Sequence, residues 1–210
     1  MAFGHLEALE LSVLLLATPF LFLGYVRTRR LQPYLQNAGL QSLGRFFLLY
    51  GIASVIRFGF TVVAIAAGQS DAVQLADPVA LPGSGPLAFH FFVTHILLLA
   101  ALGVVGAQYL RGARGLAAGL LAVAAVSLPL LEAILAAIPA VITIANQHGR
   151  HTRRSRHIAI GFSLLALGHL MLVPLATVTS YAAFHLIAAS QLLALFGALA
   201  LVFALPRGVP

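Results

Sequence analysis

The chain contains no cysteine. That excludes disulfides, thiolate-held clusters and the covalent attachment of a c-type haem. It has no lysine either, all twelve basic residues being arginine, so a Schiff-base cofactor such as retinal or pyridoxal phosphate has no anchor. Charge of any kind is scarce. Only 8% of the 210 residues are Asp, Glu, Lys or Arg, and five of them are acidic. A soluble domain carries about 25% charged residues, so a soluble globular enzyme is excluded. No P-loop, nucleotide fingerprint, HExxH or serine elbow is present.

What fills the chain instead is apolar. Hydrophobic residues make up 61%, and the mean hydropathy is +1.02. A membrane-spanning helix needs about 20 mostly apolar residues. The clear candidates are Leu6–Tyr25, Leu43–Ala67, Leu87–Ala107, Ile158–Val178 and Ala182–Leu205. The first of these carries Glu7 and Glu10 and no basic leader, and so reads as a span rather than a signal peptide. The stretch from 114 to 147, with Pro129 and Pro139, is too long for one span and short for two.

Arginine placement bears on that stretch. Short cytoplasmic loops collect basic residues. Arg27, Arg29, Arg30 and Arg45 flank the first connection and Arg111 and Arg114 the third, opposite the connection holding Asp71 and Asp77. Two short helices turning near Ser127–Pro129 put Arg150, Arg153, Arg154 and Arg156 on the same side as the other basic loops. A single span does not. The excess of positive charge is therefore read as topology and not as a nucleic-acid surface. The expected fold is an all-α integral membrane bundle of about seven helices, six if 114–147 is one kinked span.

An internal echo fits seven. Ala88-Phe89-His90 opens the third segment and Ala183-Phe184-His185 the last, while Thr28-Arg29-Arg30 is matched by Thr152-Arg153-Arg154. The echo suggests a three-plus-one-plus-three parallel repeat, with chance similarity among common residues as its rival. The expectation is a single transmembrane domain over 1–210 with an external loop at 68–86 and a basic cytoplasmic loop at 146–157. The chain would sit in the cell membrane as a multi-pass protein, N-terminus outside and C-terminus cytoplasmic, with partner subunits or a second copy supplying any water-soluble chemistry.

Ionisable side chains within spans are costly and functional by default. Arg57, His90, His95, Glu132, His169 and His185 stand out. At a rise of about 1.5 Å per residue, all fall in the outer half of the seven-segment arrangement. His90 matches His185 in depth, and His95 matches His169. Matched histidines on different helices are what axial ligation of a b-type haem requires. His90 and His95 are about 140° apart around a helix, so they do not serve one small metal ion. Gly161 and Gly168 would leave room for a macrocycle, with Pro174 bending the helix around it, or offer a small-residue face for close helix packing. Arg57 would meet a haem propionate, or pair with Glu132. Each histidine has a plainer role open to it, a neutral hydrogen bond between helices. Gln41, Ser54, Ser190 and Gln191 would line a quinone or substrate pocket, or simply join helices. His148, His151 and His157 sit in the basic loop and read as lipid-facing charge.

These residues favour a membrane-embedded electron-transfer protein or the anchor subunit of a respiratory complex. It would hold one or two haem b groups on His90, His95, His169 and His185, and meet a quinone. A transporter or sensor of protons or a small solute is the second expectation, and a cofactor-free accessory subunit the third.

Overall fold

The computed structural model describes residues 2–35, 37–66, 86–109, 128–146, 152–174 and 180–206, with the backbone alone at 2–7, 64, 86–92, 180–181 and 183–184. These residues form six helices: α1 (Ala2–Leu35), α2 (Ala38–Ala66), α3 (Pro86–Tyr109), α4 (Leu128–Ala145), α5 (Arg153–Met171) and α6 (Ser180–Phe203). Each packs on the next in chain order, and α6 packs back on α1. The helices thus close into a ring.

Four of the helices contain stretches long and apolar enough to cross a membrane: Ala8–Leu35, Ala38–Val63, Leu128–Ala145 and His185–Phe203, with Val93–Tyr109 a shorter apolar helix. The outer surface carries Leu15, Val63, Val141, Ile160, Phe196 and Phe203 in exposed positions. In water such a belt would drive aggregation. In a bilayer it faces hydrocarbon, and the protein is a multi-pass helical membrane protein.

The helices overrun the apolar runs that seed them. α1 continues past Tyr25 through Arg27, Arg29 and Arg30 to Leu35, so these arginines lie on a helix and not in a loop. The break comes at Asn37, whose side-chain oxygen accepts from Gly39 N–H at 2.8 Å and whose carbonyl accepts from Leu40 and Gln41. Thr152 does the same for α5. Its Oγ1 accepts from Ser155 N–H at 3.2 Å, a side-chain cap for orphan donors at a helix start. The basic loop expected over 146–157 is thereby shortened, because Arg153, Arg154, Arg156 and His157 belong to α5. Residues 147–151 and 67–85 lie outside the described set, and with them most of the expected external loop.

Contact order gives the chain directions. α1 and α2 are antiparallel: Glu10 meets Arg57, Gly24 faces Phe47 and Gly44 faces Thr28. α5 and α6 are antiparallel, since Gly161 faces Leu201 and Gly168 faces Ser190. Glu132, early in α4, meets His169 at the end of α5, so this pair is antiparallel too. α3 and α4 differ. His95 meets Glu132 while Gly106 approaches Leu135, and both positions advance together. α3 and α4 therefore run in the same direction. The interval between Tyr109 and Leu128, in which the extra short helix is expected, lies outside the described residues. α3 and α6 then point the same way.

One consequence is polar segregation. Glu10, Arg57, His95, Glu132, His169 and Gln191 lie toward one end of the ring, while Arg27, Arg29, Arg30, Arg45, Arg153, Arg154 and Arg156 lie toward the other. The middle is held by Leu21, Phe46, Phe47, Leu102, Phe162 and Leu201, which are fully buried. Phe46 lies edge-on to Phe162 across α2 and α5, with ring centroids 5.5 Å apart, the arrangement favoured by aromatic quadrupoles.

Candidate functional site

Glu132 is the centre of the site. It sits one turn into α4 just after Pro129, which suits a first-turn position because its missing N–H is not needed there. The Glu132 side chain is 0% exposed. One carboxylate oxygen lies 2.6 Å from Nδ1 of His95 on α3. The other lies 2.9 Å from Nδ1 of His169 on α5. Three adjacent helices thus deliver three ionisable groups to one point. The second contact is close but off the line of a hydrogen bond. Among the described residues, Oε2 of Glu132 and both ring nitrogens of His169 lack an in-line partner. Buried polar atoms are paired in nearly all native structures, so this corner of the site has unused hydrogen-bonding capacity.

The electrostatics follow from charge count. An isolated carboxylate in a bilayer is expensive. Beside one imidazolium and one neutral imidazole the cluster is neutral overall. Removing that proton leaves a net negative charge in a low-dielectric interior.

A second polar cluster lies nearby. Arg57 on α2 donates from Nε to Glu10 Oε1 at 2.5 Å, with the side chains 18% and 2% exposed. With the Gln191 amide turned so that its oxygen faces Arg57, that oxygen accepts from Nη2 at 2.7 Å and from Nη1 at 3.3 Å. Arg57 therefore pairs with Glu10 and not with Glu132. The physical reason is position in the ring: α2 lies next to α1, and Glu132 on α4 is turned toward α3 and α5.

Sequence depth correctly groups His95, Glu132, His169 and Arg57 at one end. It does not assign their partners. The His95 and His169 imidazoles both turn Nδ1 to Glu132, whose carboxylate lies between them. Gly161 and Gly168 are occupied on the α6 side by close packing. A Cβ on Gly161 would lie 2.6 Å from Leu201, and one on Gly168 would lie 3.2 Å from the Ser190 carbonyl. Both glycines draw α6 against α5 instead. Pro174 does not bend α5, because the helix ends before it. The N–H of Leu172 turns back to the carbonyls of His169 and Leu170, and proline disfavours helix in the residue ahead of it. His185 is exposed on α6, and the side chain of His90 lies outside the described residues. Among those residues no group of three or more histidine, cysteine or acidic side chains is arranged to hold a metal ion.

Two partners went unread in the sequence: Glu10 and, as its neighbour, Gln191. Glu10 lies within an apolar run, which by itself marks an intramembrane charge. The antiparallel register that pairs Gly24 with Phe47 brings Glu10 near Arg57. Ser54 donates to the Tyr50 carbonyl at 2.9 Å, and both line a cavity of about 40 Å³ beside Arg57, Thr94 and Gln191. Gln41 is on the basic end, in an open groove with Arg29 and Arg30. No family model, curated protein or solved structure matches the chain.

Proposed function

We propose that this chain is a proton-handling membrane protein, of transporter or sensor class, with His95, Glu132 and His169 as its proton-binding centre. The observation that carries this reading is the fully buried Glu132 carboxylate with an imidazole nitrogen at each oxygen. Histidine is the side chain that changes charge near neutral pH, and intramembrane His and carboxylate groups mark proton relays. The basic end of the ring is assigned to the cytoplasm by arginine placement, which puts the centre toward the outer face of the cell membrane. A cysteine substituted at Gly149, unique in this chain, should then resist impermeant reagents added outside intact cells; labelling would reverse the orientation.

The test of the centre is infrared difference spectroscopy on protein in nanodiscs, stepped between about pH 5 and 8. The wild type should show imidazole and carboxylate bands changing together. Glu132→Gln should remove the carboxylate signal and alter the imidazole one. A wild-type spectrum without any coupled change would make the cluster structural and leave an accessory-subunit role.

A second reading, haem b electron transfer, is favoured by one observation. His169 Nε2 is buried without an in-line partner among the described residues, while its Nδ1 faces a carboxylate. Ligating histidines commonly have that second-shell support. Haem there would supply electron-transfer chemistry, with His169 as ligand and Glu132 orienting the ring. A Soret band in the purified protein that is lost in His169→Ala supports it; absence of the band, before and after haem titration, excludes it.

A further inference from the structure

We propose that the cavity between α1, α2, α3 and α6 is a water-holding chamber connecting the Glu10–Arg57 pair to the His95–Glu132–His169 centre, with Tyr50 and Thr94 as hydroxyl relays. This rests on the proton-binding reading and adds the route by which that centre exchanges its proton.

The cavity holds about 40 Å³. A water needs roughly 10–15 Å³ of such space and two to four polar partners, so about three waters fit. Its apolar wall comes from residues such as Val13, Ala17 and Leu98, and its polar groups are Tyr50, Ser54, Arg57, Thr94 and Gln191. Thr94 supplies independent evidence that something polar belongs there. It is 4% exposed, and its Oγ1 has no hydrogen-bond partner among the described residues. A buried hydroxyl left bare is costly, and water in the cavity that Thr94 lines removes the cost. The Ser54 hydroxyl spends its proton on the Tyr50 carbonyl, which leaves its lone pairs to accept from such a water.

Tyr50 ties the two clusters together. It is buried, lines the cavity, and lies within electrostatic reach of both Glu132 and Arg57. Among the described residues, the ionisable groups around the route are Glu10 on α1, Tyr50 and Arg57 on α2, His95 on α3, Glu132 on α4 and His169 on α5. α6 contributes the neutral Gln191 to the chamber. A proton leaving the imidazolium is passed along the hydrogen-bonded chain, each oxygen accepting one proton and releasing one. It ends on the Glu10 carboxylate as that group parts from Arg57, whose guanidinium keeps the Gln191 oxygen. One proton is moved, and no other atom changes partner covalently.

The experiment is a pH jump followed by time-resolved infrared spectroscopy on wild type, Tyr50→Phe, Thr94→Val and Glu132→Gln in nanodiscs. Tyr50→Phe and the near-isosteric Thr94→Val should keep the amplitude of the centre's signal and slow its appearance by at least about tenfold, in line with the loss of a proton-transfer group. Thr94→Val should also remove the weakly bonded water bands that shift in ¹⁸O water. Full amplitude with unchanged rates in both variants would overturn the chamber and leave the centre standing. No amplitude in the wild type, with or without Glu132→Gln, would overturn the centre itself.

Discussion

Arg57→Leu is expected to destabilise the protein by about 3–5 kcal/mol, because it strands Glu10 as an uncompensated charge in the bilayer interior. Glu10 is 2% exposed and its side chain is too short to reach water by snorkelling. Glu10→Gln should cost less, since an amide oxygen still accepts from the guanidinium and Arg57 keeps the Gln191 contact available to it. The double variant Glu10→Leu/Arg57→Leu should recover most of the loss. Replacing both partners of a buried pair with apolar groups is often neutral. Recovery by removing Glu10, and not by Glu132→Leu, is what identifies the true partner. Reversible unfolding in mixed micelles measures these variants against wild type, and an Arg57→Leu variant within about 0.5 kcal/mol of wild type would show that the pair carries no stability.

The way this pairing was hidden in the sequence is instructive. Depth along a helix is legible, because rise per residue is constant. It put Arg57, His95, Glu132 and His169 in one layer, and three of them, His95, Glu132 and His169, meet. Direction around the helix is not legible when nearly every face is apolar. Glu132 therefore looked as available to Arg57 as to the histidines. The order of helices in the ring decides it, with α3 and α5 flanking α4, and α1 and α6 near the Arg57 end of α2. Small residues left two readings open, room for a cofactor or close helix packing, and the structure supports the second. In a soluble core a glycine beside a histidine can mark space for a cofactor. Between membrane helices it more often marks close backbone approach, and Gly161, Gly168 and Gly197 all do this. Spans were more legible, because hydropathy over about 20 residues needs no knowledge of tertiary contacts: stretches of α1, α2, α4 and α6 are long and apolar enough to cross, and α3 holds a shorter apolar helix.

The tight α5–α6 seam leads to an opposite-sign pair of glycine substitutions. A Cβ on Gly161 would meet Leu201 Cγ at 2.6 Å and the Gly197 carbonyl at 3.0 Å; one on Gly197 would meet the Gly161 carbonyl at 2.9 Å. Leu201 is 0% exposed and belongs to the central cluster, so it has little room to rotate away, and the carbonyls cannot. Overpacking of this kind costs about 1–3 kcal/mol, against a gain of about 1 kcal/mol from replacing glycine in a helix. Gly161→Val should exceed that gain clearly, and Gly161→Ala should lie at the milder end of the same loss. Gly103 on α3 and Gly59 on α2 have nothing within 4 Å of an added Cβ. Gly103→Ala and Gly59→Ala should therefore be neutral or stabilising. Equal losses at all these positions would refute the packing account. The effect also reaches the site. Gly168 holds α5 against Ser190 immediately before His169, so a wedge at Gly161, two turns away on the same seam, tilts His169 away from Glu132. The His169 imidazole signal should shift in Gly161→Val and stay in place in Gly103→Ala, which separates a displaced centre from a protein that is merely less stable.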